Sequence, residues 1–261
     1  MGVAMEIITG RATNPSSYTA VTMATGDSAT VRNFPNPDTA YWLNAWGLGA
    51  TKGSVRVRSP RFHDNVQGVK ANFAAATPVA LFDERMQELL YAQDNLTIEM
   101  IDAGTETDMM SMLMYYNDLP GTNARLYHWS EIQSRIVHLM GTEVDITTGG
   151  TAGDYGGATA INATFDQFKA NTDYAILGYV TDTAMLSVGI RSADFGNLRV
   201  GGPGSNSKIE TRNWFTRLDD TYSMPCIPVF NAANKSNTLV DVVHNATGTS
   251  VVVTFLCAQL R

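Results

Sequence analysis

Over much of the chain apolar and polar residues alternate singly, the period of a half-buried strand. In the stretch Ser54 to Ser59, SVRVRS, Val55 and Val57 point one way and Arg56 and Arg58 the other. Elsewhere the run is apolar throughout, as in TSVVVTFL from Thr249, the pattern of a strand covered on both faces. These patterns predict strands near 4–9, 18–23, 27–33, 40–47, 53–59, 95–102 and 107–116, and again near 143–147, 174–181, 184–191, 238–244 and 249–257. Helical spacing occurs twice. Phe82, Met86, Leu89 and Leu90 share a stripe over 82–93. Ser130 and Gln133 make a capping box ahead of the stripe Ile132, Ile136 and Met140, which predicts a helix over 130–140. The Gly-, Pro- and Ser-rich segment 199–214 predicts an exposed, contact-making loop.

The chain also resembles itself. Shifted by 133 positions, residues 38–62 lie on 171–195 without a gap. Thr39/Thr172, Tyr41/Tyr174, Ser54/Ser187, Val55/Val188, Arg58/Arg191, Ser59/Ser192 and Phe62/Phe195 are identical. Shifted by 142, residues 95–116 lie on 237–258, with Asn95/Asn237, Thr105/Thr247 and Thr107/Thr249 identical and Glu99/Asp241 keeping their charge. Each copy of this second block reads strand, Asn/Gly/Thr-rich turn, strand. Two collinear blocks imply a duplicated unit rather than a solenoid. The boundaries expected are 1–120 for the first unit, 121–140 for a helical linker and 141–261 for the second. Phe62 and Phe195 are expected in matching core sites.

Composition narrows the function. Charged residues are 16% of the chain, below the usual quarter, while hydrophobic content is ordinary at 44%. That combination suits surface buried by partners, since interface cores are depleted in Lys, Glu and Asp. The formal net charge of −7 argues against a protein that coats nucleic acid, which needs a basic patch. Lys52, Arg56, Arg58 and Arg61 form the longest basic spacing and read as a solvated or interfacial strand face. Cys226 and Cys257 stand in apolar contexts and read as buried free thiols. Residues 1–13 lack the apolar core of a signal peptide, and no apolar run is long enough to span a bilayer as a helix. The sequons at Asn95, Asn162, Asn234 and Asn245 read as Asn- and Thr-rich turns.

Catalytic and metal-binding patterns are weak. His63, His128, His138 and His244 are scattered, without metal-ligand spacing. Gly149–Gly157 is glycine-rich but lacks the phosphate-loop Lys and its βαβ context. Asp154, Asp219 and Asp220 are the acids that could join a Ca²⁺ site, though solvated loop acids are the simpler expectation. No catalytic residue, cofactor or metal is therefore expected, and the chain is not expected to be an enzyme. Trp42 and Trp46, or Trp214, could form a sugar-stacking platform if exposed, but Tyr41/Tyr174 and Trp46/Tyr179 recur at matched positions and read as packing.

Seven or eight strands in about 120 residues is the count of an antiparallel sandwich or jelly roll. Two such units in tandem, with a short helix in a loop and a helical connector, resemble the double jelly-roll major capsid proteins of tailless icosahedral viruses. That lineage includes adenovirus hexon and the membrane-containing bacteriophages. The resemblance covers nearly the whole chain and rests on architecture, size and duplication rather than on a signature motif. It implies a mainly β fold of two tandem antiparallel jelly-roll domains, and a homotrimer with pseudo-sixfold outline. It further implies contacts with neighbouring capsomers and with minor and penton capsid proteins, and an internal membrane beneath the shell. Direct, specific nucleic-acid binding is not implied. Localisation would be the virion, after assembly in the host cytoplasm. The 199–214 loop would be the outward decoration, and residues 1–16 would reach toward the membrane. The alternative from another class is a carbohydrate-binding or adhesin-like tandem β-sandwich.

Overall fold

A computed structural model of the chain describes residues 2–49, 51–73, 78–80, 86–205 and 209–261. The first half folds into eight strands: β1 (Gly2–Thr13), β2 (Thr19–Ala20), β3 (Ala40–Leu48), β4 (Gly53–Arg58), β5 (Val69–Phe73), β6 (Val79–Ala80), β7 (Thr97–Asp102) and β8 (Thr107–Leu119). The second half repeats them as β9 (Ile136–Thr147), β10 (Thr159–Ala160), β11 (Asp173–Thr181), β12 (Met185–Arg191), β13 (Arg199–Gly204), β14 (Ile227–Asn231), β15 (Leu239–Val243) and β16 (Ser250–Leu260). Short pieces at Thr22–Met23, Glu88–Leu89 and Leu126–Tyr127 extend the sheets.

The strand order decides the fold. The first half makes one sheet ordered β1-β8-β3-β6 and another ordered β2-β7-β4-β5. The second makes β9-β16-β11-β14 and β10-β15-β12-β13. Each number in the second half is the first-half number plus eight. First strand pairs last, third pairs last, and second pairs seventh, all antiparallel. This interleaving is the jelly roll, formed twice. The two sequence blocks fall on topologically equivalent strands: the 133 shift lays β3 and β4 on β11 and β12, and the 142 shift lays β7 and β8 on β15 and β16. The longer spacing in the second half accommodates helices α2 (Ile209–Arg212) and α3 (Trp214–Tyr222) between β13 and β14.

The four sheets stack face to face. In β8, Met110, Met112, Met114 and Tyr116 point into the first roll, with Val55, Val57, Ile98 and Met100 opposite. The alternate residues Met109, Leu113 and Tyr115 point the other way, into a core continuous with the second roll. Strand β1 divides likewise, Ala4 and Ile8 inward, Met5 and Ile7 toward the second roll. Across that seam β12 and β13 lie against β1, β3 and β8. The order through the molecule is therefore sheet β2-β7-β4-β5, sheet β1-β8-β3-β6, sheet β10-β15-β12-β13, sheet β9-β16-β11-β14. The inner two sheets are covered on both faces, which is why β8 and β12 read as unbroken apolar runs.

Several expectations are corrected. No helix forms over the described part of 82–93: Glu88–Leu89 pairs with β3, while Phe82 lies outside the described residues. The 130–140 helix is one turn, α1 (Trp129–Ile132), followed by a 3-10 turn Gln133–Arg135. From Ile136 the chain is strand, because pairing with β16 satisfies a whole row of backbone groups where an isolated short helix is marginal. His128 rather than Ser130 is the N-cap, exchanging hydrogen bonds with Glu131. The described part of 199–214 is not an exposed loop, and residues 206–208 lie outside the described residues. Arg199–Gly204 is strand β13 with Gly201, Gly202 and Gly204 buried, and α2 begins at Ile209. Residues 27–33 hold only an isolated bridge, Thr30 to Asn95. Gly2–Thr13 of the N-terminal segment is strand β1, paired along its length with β8.

Candidate functional site

The seam between the rolls contains the densest polar chemistry. Trp46 of β3 donates its indole N–H to the Leu186 carbonyl at 2.6 Å. Thr9, Ser111 and Ser187 form a buried hydroxyl chain, with 2.7 Å from Thr9 to Ser111 and 2.6 Å from Ser111 to Ser187. At one end of the seam Asp27 of the first roll is almost fully enclosed. It accepts from the Thr9 backbone N–H at 2.7 Å, the Tyr155 hydroxyl at 2.9 Å and Arg199 Nη1 at 2.7 Å. The Arg199 guanidinium also lies 3.4 Å from the Tyr155 ring centroid and donates through Nε to Asp241 at 3.1 Å. Burial pushes the Asp27 carboxyl up to about 6 against the opposing pull of Arg199. Beside it Asp154 accepts from the Thr25 N–H and hydroxyl at 2.9 Å each and pairs with Arg11 at 3.3 Å. Loops from both rolls thus form a clasp, above a cleft of about 490 Å³.

The repeated arginine has a defined partner in each roll. Arg58 donates to Glu99 at 2.8 Å, and its counterpart Arg191 donates to Asp241, the counterpart of Glu99, at 2.8 Å. Arg56 adds a second bond to Glu99 at 2.5 Å. Gly189 occupies the matching position in β12, and a Cβ there would stand 2.5 Å from the Arg199 side chain. Arg199, arriving from β13, therefore supplies the second cation that Arg56 supplies in the first roll, and Gly189 makes room for it. Of the basic spacing, Arg56 and Arg58 form an ion-pair cluster with Glu99 on a sheet face.

The other candidates disperse. Asp154 belongs to the seam, whereas Asp219 accepts from Trp129 N–H at 2.9 Å and lies 2.6 Å from His128 Nδ1, so the possible Ca²⁺ acids are not brought together. Among the described residues no three His, Cys, Asp or Glu side chains are grouped to hold a metal. His63 and His138 are exposed, and His244 Nδ1 accepts from the Ala246 N–H. Cys226 and Cys257 are buried free thiols, and burial pushes Cys257 up to about 12. Trp42 and Trp46 are buried, at 3% and 1% exposure, and cannot stack on a sugar. Trp214 packs edge-on against Trp46 and donates to the Gly201 carbonyl at 3.0 Å.

One acidic group stands out from this pattern. Asp108, at the start of β8, is buried beside Asp102 at the end of β7, with no protein donor to either carboxylate oxygen and, once protonated, with the Asp102 carboxylate as its acceptor. Burial, with Asp102 and Glu106 nearby, pushes its carboxyl up to about 7. Asp102 itself accepts from the Thr51 hydroxyl and the Ala103 N–H.

The residues that sequence reasoning missed are Asp27, Tyr155 and Arg199. Each is unremarkable in its own segment, and only the stacking of the rolls brings them together.

No known family model and no curated protein sequence matches the chain. Among solved structures it is similar to the exported protein XepA of PBSX, at 8% identity and a TM-score of 0.30 over 97% of this chain and 86% of that one. It is similar to the major capsid protein P2 of bacteriophage PM2, at 6% identity and a TM-score of 0.24 over 89% and 97%. The third is YhaK from Escherichia coli, at 5% and 0.23 over 97% and 86%. Scores below 0.5 carry no argument for fold or role. The class, a double jelly roll, rests on the chain's own strand order.

Proposed function

We propose that this chain is a capsid subunit, a major capsid protein that associates as a homotrimer with a pseudo-hexameric outline in an icosahedral shell. The observation that carries the reading is the twofold repetition of one jelly-roll strand order in a single four-sheet stack. Such a stack has two different ends. One end is the outer face of sheet β2-β7-β4-β5, and the other is the outer face of sheet β9-β16-β11-β14. Inside the chain, the same two kinds of face already pack together once, at the seam. Repeating that contact head to tail between chains is a heterologous association, which gives a ring if the rotation closes. Three chains of two rolls then present six similar units.

The low charge content supports broad lateral interfaces, and the net negative charge supports a shell that does not grip the genome. Duplication of one ancestral roll accounts for the matched strands and for the Arg58–Glu99 and Arg191–Asp241 pairs. The domain division at 1–120, 121–140 and 141–261, virion localisation with assembly in the host cytoplasm, and contacts with penton and minor capsid proteins or an internal membrane belong to this same reading. So does the absence of enzymatic activity, of a cofactor and of direct, specific nucleic-acid binding.

Size-exclusion chromatography with light scattering, followed by negative-stain imaging, tests it. A stable trimer of hexagonal outline is expected. A monomer that binds immobilised glycans would overturn the proposal in favour of the tandem carbohydrate-binding reading.

A further inference from the structure

The two end faces of the stack differ in charge. On sheet β2-β7-β4-β5, Arg56, Arg58 and Lys70 share one face, and among the described residues of these strands Glu99 is the one carboxylate there, bonded to both arginines. Lys70 is exposed and Tyr18 lies against Arg56, its ring centroid 4.1 Å from the guanidinium. The face is basic on balance. On the opposite end, strand β9 buries Thr142, Val144 and Ile146 and exposes Gly141, Glu143, Asp145 and Thr147 in alternation. Further along the strand Val137 and Leu139 are exposed, at 44% and 61%. The outward side of this edge strand is acidic over half its length and apolar over the rest.

The contact within the chain shows how such faces meet. There the cation of the corresponding sheet, Arg199, reaches a carboxylate of the neighbouring roll, Asp27, at 2.7 Å. The end faces repeat the elements of that contact: an excess of cations, Arg56, Arg58 and Lys70 around Glu99, on the sheet equivalent to Arg199's, and the carboxylates Glu143 and Asp145 on the sheet that would stand opposite.

We infer that the occupant of each end face is a second copy of this chain, and that Arg56 and Lys70 of one copy face Glu143 and Asp145 of the next, with Val137 and Leu139 buried alongside. This rests on the assembly reading above and names the surfaces that carry it. Opposed charges at such a contact set partner and register and make association sensitive to salt.

Lys70→Glu and the double variant Glu143→Lys/Asp145→Lys change exposed side chains, so each is expected to melt at the wild-type temperature. Analytical ultracentrifugation over a concentration series then reads assembly. Each variant is expected to weaken trimer formation by at least about tenfold, and raised NaCl is expected to weaken the wild type. Combining Lys70→Glu with Glu143→Lys/Asp145→Lys is expected to restore much of the loss. A wild type that stays monomeric overturns the assembly reading and this pairing with it. A wild-type trimer whose stability is indifferent to both reversals, or a combined variant weaker than either parent, overturns the pairing alone.

Discussion

Phe62 and Phe195 follow equivalent strands and enter different cores. Phe62 stacks on Trp42 with ring centroids 6.4 Å apart, and Phe195 is wholly buried in the second roll. Truncating either leaves a cavity that surrounding strands cannot collapse into. Phe195→Ala is expected to cost about 3–5 kcal/mol in urea unfolding, and Phe62→Ala somewhat less because Phe62 keeps 7% exposure. Gly189 presents the opposite problem. A methyl there meets Arg199 at 2.5 Å and Ile7 of the first roll at 3.4 Å. Gly189→Ala is expected to cost about 1–3 kcal/mol by overpacking, with Arg199 displaced from Tyr155, a change readable in the tyrosine near-ultraviolet circular dichroism. The identity of Phe62 with Phe195 was legible in the sequence. The reason Arg56 becomes Gly189 was not, because Arg199 lies ten residues further on and reaches the site only through strand pairing.

At the level of the element, the paired strands β4/β7 and β12/β15 carry the same carboxylate-arginine bond in different surroundings. Asp241 is 1% exposed and holds Arg199, itself enclosed in the seam. Glu99 holds Arg56 and Arg58 on an outer face. Without the Asp241 carboxylate, Arg199 keeps its ion pair with Asp27 and Arg191 keeps its contact with solvent, so the loss is that of charge-assisted hydrogen bonds to a buried group. Asp241→Asn is therefore expected to cost about 1.5–3 kcal/mol, and Glu99→Gln less, when both are compared by urea denaturation. Strands with clear alternation, or with apolar runs of β-branched residues, were readable from pattern alone. The pieces that pattern missed, β5, β6, β10, β13 and β14, are short or rich in Gly and Pro. They are strands because a neighbour supplies the ladder, and local propensity does not carry that information. The same reason turned the expected 130–140 helix into β9.

For the whole molecule, two buried carboxyls, Asp27 in the seam and Asp108 within the first roll, couple folding to pH. Asp27 protonates at about 6 in the fold, against an ordinary value near 3.8, and Asp108 at about 7. A carboxyl whose folded value is raised binds its proton more tightly in the native state. Its contribution to stability is fully present below the unfolded value and is lost as pH rises through the folded one. The fold is thus expected to lose stability between about pH 4 and pH 7 through these two groups. Thermal melts of Asp27→Asn are expected to flatten that slope up to pH 6, and melts of Asp108→Asn up to pH 7. Carboxylates held low act at the acid end with opposite sign. Burial pushes the Glu99 carboxyl up, but the hydrogen bonds from Arg56 and Arg58 outweigh it, so its contribution is lost as pH falls below the ordinary carboxylate range.

The sequence by itself determined that the chain is β-rich and which residues of its two halves align in pattern. Those properties are written in local alternation and in self-similarity, neither of which needs a third dimension. Only the tertiary structure decided that the halves are jelly rolls with one strand order, stacked so that two sheets are covered on both faces. It alone brought Asp27, Tyr155 and Arg199 into a clasp, set Arg56, Arg58 and Lys70 on one end face, and left the acidic and apolar side of β9 outward at the other end. Strand order and sheet stacking depend on which distant segments share hydrogen bonds and bury each other's side chains, and a one-dimensional pattern specifies the faces of a strand without naming its neighbours.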